Sequence, residues 1–390
     1  MIPYGRQSVD QADIDAVVEV LKSDWLTQGP TIERFEAAMA ARCEAGFGVA
    51  VCNATAALHI ACLAAGLGEG DVLWTSPNTF VASANCARYC GADVDFVDID
   101  PQTWNLDAAA LARKLQSAER TGKLPKVLVA VAFSGQSCDM AAIAVLASRY
   151  GFVVVEDASH AVGARYAGRA VGCGDFADMT VFSFHPVKII TSGEGGMVLT
   201  NRPELAERLR RLRSHGMTRD PAQMDAPSHG PWYYQQIELG FNYRITDIQA
   251  ALGLSQLDKL DGFIARRRML AARYQALLGS LPLTLPTEQV GTQSAWHLYV
   301  VRLQTEHVKL ERRQVFEQLR EAGIGVNVHY IPVHIQPYYR DLGFAPGDFP
   351  EAEAYYAQAI SLPLYPAMTD EQQDQVVEQL RKILGGDPKP

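Results

Sequence analysis

Short apolar segments alternate with helix-like segments between residues 48 and 183, and this alternation constrains the fold more than any other feature of the sequence. The apolar segments are residues 48–52, 72–75, 94–97, 127–133, 152–156 and 180–183. Strands that alternate with helices predict a largely parallel sheet with helices on both faces. Ligands bind such sheets beyond the carboxyl ends of the strands. The sequence therefore predicts an α/β fold with a binding site at that edge.

Residues with polar or aromatic side chains follow these strands at the predicted edge. Residues 53–55 follow the first strand, Phe80 the second, Asp157 and His160 the fifth, and residues 183–188 the sixth. Residues 53–58 are mostly small and open a helix, whose free N–H groups and dipole favour an anion. An ordinary strand-to-helix turn has the same pattern, so both interpretations stand for this segment alone.

Lys188 is the first candidate for chemistry. It follows a β-prone run that breaks at Pro186, and a turn containing Gly193, Gly195 and Gly196 comes after it. A lysine presented in this way can attack a carbonyl as a neutral amine, and the commonest use of that chemistry is a Schiff base with pyridoxal phosphate (PLP). Taken alone, Lys188 is better described as a solvated loop lysine, which is what most lysines are.

Asp157 is the second candidate, because it ends a strand that the sequence predicts to be buried. An unpaired charge in that place is costly, so Asp157 needs a cationic partner. The protonated pyridine nitrogen of PLP would serve, and holding that proton makes PLP an electron sink. The alternative is an N-cap aspartate for the following helix.

Composition excludes several functional classes. The net charge of −9 and the pI near 5.5 disfavour binding to nucleic acid or to an anionic membrane. The seven cysteines show neither a CxxC pair nor metal-ligand spacing, which is typical of reduced thiols and predicts no metal site. The opening residues lack a signal-peptide pattern, and no apolar run is long enough for a membrane span. We expect a soluble, cytoplasmic protein.

The length of 390 residues allows two domains. We place the boundary at residue 250, which gives a large domain of residues 1–250 and a smaller α+β domain of residues 251–390. In the second domain, the spacing of apolar residues predicts helices at 263–278, 311–322 and 370–384 and strands at 296–303 and 325–330.

Three motifs and Asp157 together resemble a known family. The motifs are Phe182-Ser-Phe-His-Pro-Val-Lys188, Gly193-Glu-Gly-Gly196 and Gly240-Phe-Asn-Tyr-Arg244. They resemble those of the DegT/DnrJ/EryC/StrS aminotransferases, which act on nucleotide-linked keto sugars, and the resemblance covers essentially the whole chain. It implies a fold-type I PLP-dependent transferase with a mainly parallel seven-stranded sheet in a large PLP-binding domain.

The resemblance also implies roles for individual residues. Lys188 is then the Schiff-base lysine and general acid–base, and Asp157 the partner of the pyridine nitrogen. The other implied PLP contacts are Phe80 on the ring, His160 at its O3′ oxygen, and Ala54, Thr55, Ser183 and Asn242 at the phosphate, with Asn242 coming from a neighbouring subunit. Many members have Gly at the position of Ala54 and Gln at that of His160. His329 and Tyr330 are candidates for substrate contact, although such residues are more often packed. We expect His334 to be available, with them, to the hydroxyls and phosphates of a nucleotide sugar.

The substrate interpretation rests on resemblance alone. Residues 2–8, 26–30 and 157–160 look most like the pseudaminic acid branch, in which C4 of a UDP-linked 2-acetamido-2,6-dideoxy-4-ketohexose is aminated with glutamate as donor. We also expect a homodimer with composite active sites, because the motif at 240–244 resembles a phosphate contact although it lies far along the chain from Lys188. The alternatives are an aminotransferase for another UDP- or dTDP-linked 4-keto or 3-keto sugar, and a non-catalytic protein that binds PLP or a nucleotide sugar for regulation. A PLP-dependent sugar dehydratase is disfavoured, since that branch replaces the lysine with histidine.

Overall fold

A computed structural model describes residues 1–385 of the protein. The α-helices, α1 to α13 in chain order, are Gln11–Lys22, Pro30–Cys43, Ala54–Ala64, Ala82–Tyr89, Ala108–Thr121, Met140–Tyr150, Pro203–Arg213, Asp247–Asp258, Leu260–Leu278, Arg312–Glu321, Pro337–Arg340, Pro350–Gln358 and Asp370–Leu384. The strands, β1 to β15, are Phe47–Val51, Val72–Thr75, Asp93–Phe96, Val127–Val131, Val153–Asp157, Arg165–Tyr166, Arg169–Ala170, Met179–Ser183, Gly196–Thr200, Met217–Thr218, Gln235–Gln236, Leu283–Thr284, Thr292–Gln293, Tyr299–Leu303 and Ala359–Leu362. Short 3₁₀ turns lie at Phe133–Gly135, Pro221–Gln223 and Val333–Ile335.

A seven-stranded sheet in the order β1-β9-β8-β5-β4-β2-β3 organises the first part of the chain. The run β8-β5-β4-β2-β3 is parallel, and β9 pairs antiparallel with both β8 and β1. The prediction of a mainly parallel seven-stranded sheet is confirmed. β9 lies in the region that the glycine pattern predicted as a turn, so the turn ends earlier than expected, at Gly195.

Helices cover both faces of this sheet, which explains its apolar strands. Every residue of β4, β8 and β9 is buried, as expected for strands that are covered on both sides. Side chains cap helices of both parts of the chain: Asp10 accepts from the backbone N–H of Asp13 (3.2 Å) at the start of α1, and Thr246 caps α8.

A smaller antiparallel sheet, β12-β14-β15, packs with α9, α10 and α13. The predicted strand at 296–303 begins only at Tyr299. The predicted strand at 325–330 is wrong: Asn327 makes a single bridge to Ser361, and the main chain then leaves the sheet. The carbonyl of His329 accepts from the hydroxyl of Tyr355 (2.7 Å), so a side chain takes the place of a strand partner.

The predicted boundary at residue 250 falls inside α8, and Ile2 packs in the same apolar cluster as the smaller sheet. The division into residues 1–250 and 251–390 therefore stays a prediction. The last five residues of the second predicted domain, 386–390, lie outside the described part of the chain. Within residues 1–385, no helix combines the length and the apolar composition that a bilayer crossing requires.

Candidate active site

A cavity of about 600 Å³ opens at the carboxyl edge of the large sheet. The last residues of β4, β5 and β8, which are Val131, Asp157 and Ser183, all line it. The predicted site residues that line this cavity are Ala54, Thr55, Phe80, Asp157, His160, Ser183, Lys188, His329 and Tyr330. The edge predicted from the order of strands is therefore where these side chains meet.

Asn242 is the predicted site residue that the cavity does not include. It is exposed, lies shortly before α8, and forms a backbone bridge with Ser214. The structure contains one chain, so the contribution of Asn242 to a neighbouring subunit stays a prediction.

Asp157 is buried, with 5% of its surface exposed, and hydrogen bonds hold its carboxylate in place. Its Oδ2 accepts from the Ser83 hydroxyl (2.7 Å) and its Oδ1 from the Ser159 backbone N–H (3.1 Å). The Ser83 hydroxyl is itself 2.8 Å from that of Thr79. A carboxylate can accept about four hydrogen bonds. Asp157 therefore keeps capacity for a cationic donor in the cavity.

Lys188 sits in a tight turn after β8, where its backbone N–H donates to the carbonyl of His185 (2.9 Å). Buried Phe184 and Ile189 anchor the turn on either side. Burial lowers the pKa of the Lys188 ammonium to about 8, and the charge of Asp157 opposes part of that shift. The amine is therefore neutral in a large part of the molecules at slightly alkaline pH, which suits a nucleophile or a base.

The first turn of α3 forms another wall of the cavity. Asn53 caps the helix by accepting from the N–H of Ala56 (2.8 Å), and Ala54 and Thr55 open it. A Cβ on Gly196 would lie 2.6 Å from the carbonyl carbon and oxygen of Asn53 and 2.7 Å from the nitrogen of Ala54. The close approach of β9 to this turn therefore requires glycine at 196, and it leaves the helix N-terminus facing the cavity as an anion site.

Two of the three histidines that line the cavity, His160 and His329, are held in the neutral form. Burial, together with the charge of Lys188, lowers the pKa of His160 well below its usual range and that of His329 to about 3. His160 Nε2 is 3.2 Å from the Tyr330 hydroxyl, and His160 Nδ1 has no hydrogen-bond partner within residues 1–385. His329 Nδ1 is 2.7 Å from the Ser361 hydroxyl. His329 and Tyr330 are thus both packed and in contact with the cavity.

Several cavity residues were not predicted from the sequence, among them Tyr4, Ser83, His185, Glu194 and Asn327. Ser83 follows Phe80 by one helical turn, and that spacing is the signal that could have identified it. His185 and Glu194 lie within the motifs at 182–188 and 193–196, on either side of Lys188. Tyr4 and Asn327 come from distant parts of the chain without a local pattern.

The expectation that His334 is available to sugar hydroxyls or phosphates is wrong. Its side chain is fully buried, and Nε2 is 2.9 Å from the Glu353 carboxylate. Since that nitrogen already has its partner inside the fold, His334 has a packing role.

The lining groups fit PLP part by part. The amine of Lys188 suits its aldehyde, the carboxylate of Asp157 its ring nitrogen, and the N-terminus of α3 its phosphate. The Phe80 ring is 58% exposed and borders the cavity, as a ring that stacks on a ligand would be. The volume is also within the range of about 300–1,000 Å³ that is usual for ligand cavities.

Comparisons with known proteins agree with this chemistry. The family model described as the DegT/DnrJ/EryC1/StrS aminotransferase family matches residues 7–381. The spore coat polysaccharide biosynthesis protein SpsC of Bacillus subtilis is 42% identical over 390 residues, which cover 99% of this chain and 97% of that protein.

Solved structures are similar over nearly the full length. The putative sugar aminotransferase Spr1654 of Streptococcus pneumoniae, in its PMP form, is 29% identical with a TM-score of 0.89 and 99% of each chain covered; a PLP form of that protein is also similar. Helicobacter pylori PseC, an aminotransferase involved in the biosynthesis of pseudoaminic acid, is 30% identical with a TM-score of 0.89, covering 99% of this chain and 100% of that one. The chain therefore belongs to the DegT/DnrJ/EryC1/StrS aminotransferase family of fold-type I, PLP-dependent sugar aminotransferases.

Proposed function

We propose that this enzyme transfers the amino group of glutamate to C4 of a UDP-linked 2-acetamido-2,6-dideoxy-4-ketohexose. The product would be UDP-4-amino-4,6-dideoxy-N-acetyl-L-altrosamine, a precursor of pseudaminic acid. The observation that carries the amination chemistry is the meeting of the Lys188 amine and the buried Asp157 carboxylate in one cavity. Similarity to PseC supports the pathway.

Lys188 is the proposed catalytic base and acid. PLP, when bound, supplies an aldehyde that bonds to an amine and a ring that takes up the electron pair left when carbon loses a proton. Because its pKa is lowered to about 8, the Lys188 amine can accept a proton from carbon and return it near neutral pH. The partly exposed Lys188 side chain extends into the cavity from a rigid turn, so its amine is already positioned for the reacting atoms.

Asp157 is proposed to hold the proton of the ring nitrogen. Its carboxylate is fixed by Ser83 and by the N–H of Ser159, which together prevent it from turning away from the cavity. We assign the phosphate to Ser183 and to the turn that contains Ala54 and Thr55, with Asn242 arriving from a second subunit. Phe80 is assigned to the ring face.

His160 is proposed to act as a neutral hydrogen-bonding group at the ring oxygen. Its lowered pKa means that it carries no charge at neutral pH and does not compete with Lys188 for a negative partner. The Tyr330 hydroxyl, 3.2 Å from His160 Nε2, fixes the orientation of the imidazole ring. We assign His329 and Tyr330, two polar residues of the cavity lining, to the sugar.

We propose a homodimer because the cavity of one chain has few positively charged side chains to bind the diphosphate of a nucleotide. Lys188 is its one lysine, and no arginine lines it within the described residues. Trp232 and Leu239, which are 71% and 78% exposed, come shortly before Asn242 in the chain and suit an interface with a second copy. We further propose a cytoplasmic location, where the cysteines, all free in the structure, would stay reduced.

A second candidate substrate is a keto sugar used for another polysaccharide, linked to UDP or dTDP. The identity of 42% to SpsC, a spore coat polysaccharide biosynthesis protein, exceeds the 30% to PseC and favours this alternative. The amination chemistry would be the same in both cases.

The substrate is tested by direct competition. With glutamate as donor, we expect kcat/KM to be highest for the UDP-linked 4-keto sugar of the L-arabino series, compared with its C5 epimer and with dTDP-4-keto-6-deoxyglucose. NMR of the product should show the amine at C4. A preference of about 10-fold for the dTDP sugar, which equals about 1.4 kcal/mol of transition-state discrimination, would retain the aminotransferase and reject the pathway.

The role of Asp157 is tested with its neighbour as the matched control. Asp157→Asn should lower kcat/KM at least about 100-fold, or about 2.7 kcal/mol, because a neutral amide cannot hold the ring proton. Glu156 lies on the opposite face of β5, bonded to the Ser137 (2.9 Å) and Thr180 (3.4 Å) hydroxyls. Glu156→Gln should therefore change kcat/KM less than about 10-fold. Near-normal turnover in a folded Asp157→Asn enzyme would reduce Asp157 to a structural carboxylate.

The composite site is tested by mixing inactive subunits. In a dimer of one Lys188→Ala and one Asn242→Ala chain, one of the two sites keeps both residues. Random exchange in an equal mixture should therefore restore about a quarter of the wild-type activity. Unmixed variants carried through the same exchange protocol are the controls. A fully active monomer in light scattering, or a mixture no more active than its components, would contradict the proposal.

A further inference from the structure

Three cysteine thiols lie together between α3 and α4, outside the catalytic cavity. His59 and Cys62 are three residues apart on α3, and Cys86 and Cys90 are four apart at the end of α4, so each pair shares one face of its helix. The two helices pack against each other within one apolar cluster. Cys62 and Cys86 lie inside this cluster, and Cys90 packs against it.

Cys90 differs from the other two thiols in its surroundings. It is partly exposed, whereas Cys62 and Cys86 are buried. Its sulfur is 3.9 Å from the carbonyl of His59, and the His59 ring is fixed by the Tyr243 hydroxyl 3.2 Å from Nδ1. Interactions with the Cys62 thiol and with the His59 side chain lower the pKa of the Cys90 thiol to about 6, although burial opposes them.

These features are the ones that make a thiol reactive toward peroxide. The thiolate is the nucleophile, so an accessible cysteine with a lowered pKa reacts first. A second thiol in contact can then displace the oxidised product before further oxidation occurs. Burial raises the pKa of the other partly exposed cysteine, Cys52. Cys52 therefore lacks the lowered pKa that favours the reactive thiolate.

We propose that Cys90 and Cys62 form a redox-active pair, which hydrogen peroxide converts to a disulfide that joins α3 to α4. The Cys90 thiolate attacks one oxygen of the peroxide, the O–O bond breaks, and the hydroxide released takes up a proton to become water. The Cys62 sulfur then attacks the Cys90 sulfur, the S–O bond breaks, and hydroxide leaves with the thiol proton as a second water. Two thiols and one peroxide thus give one disulfide and two waters.

The position of this pair connects it to the cavity through both helices. The first turn of α3 carries Ala54 and Thr55, and the first turn of α4 carries Ser83, whose hydroxyl donates to Asp157. The Cys86 thiol donates to the backbone carbonyl of Ser83 (3.3 Å). A covalent link would therefore restrain two helices that supply cavity residues. The proposal does not depend on the identity of the sugar substrate.

The test uses the PLP-loaded enzyme, treated with hydrogen peroxide, alkylated and mapped by mass spectrometry. We expect loss of two of the seven thiols, a cross-linked Cys62–Cys90 peptide, and full recovery of both thiols with dithiothreitol. Cys90→Ser should prevent the cross-link, whereas Cys52→Ser, at a similarly exposed thiol, should leave it unchanged. In Cys62→Ala, Cys90 should accumulate as a sulfenic acid that dimedone traps.

A cross-link between Cys62 and Cys86 would overturn the assignment. So would oxidation of Cys90 to a sulfinic acid without a cross-link in the unmodified chain, or retention of all seven thiols. Circular dichroism of each variant before treatment confirms that the fold is intact.

Discussion

The parallel pairing of β4, β5 and β8 is the constraint on which the rest of the site depends. Val131 pairs with Asp157, and Asp157 pairs with Val181, so the strands end at one edge of the sheet. The turn after β8 then needs only a few residues to carry Lys188 to the cavity. β9 returns antiparallel, and its Gly196 lets the sheet approach the first turn of α3. One pattern of strand pairing therefore positions the amine, the carboxylate and the anion site.

Burial of this edge sets its electrostatics. It lowers the pKa of Lys188 to about 8 and keeps His160 and His329 neutral, so Lys188 and Asp157 carry the charge at the centre of the cavity. On the opposite face of β5, burial raises the pKa of Glu156 to about 7. Consecutive carboxylates of one strand thus meet different environments, because their side chains point to opposite faces.

Much of this arrangement could be predicted from the sequence, because it follows from local patterns. The alternation of strands and helices indicates the sheet edge, and Asp157, Ser183 and Lys188 follow from their distance to a strand end. β9 was missed because glycines that permit close packing look like a turn. Tyr4 and Asn327 were missed because they reach the cavity only through tertiary folding, and His334 was misjudged because a sequence does not show that its partner is Glu353. The role of Asn242 rests on resemblance, since a single chain leaves it outside the cavity.

The central claim is that the partly neutral amine of Lys188, at the cavity, is the covalent attachment point of PLP. The most direct measurement is mapping of the PLP-loaded protein after borohydride reduction, by tandem mass spectrometry of its peptides. The account predicts a pyridoxyl group on Lys188 and none on an exposed lysine such as Lys22, with attachment to the apoenzyme becoming faster as pH rises toward 8. A pyridoxyl group on another lysine, or no adduct on the fully loaded protein, would contradict it.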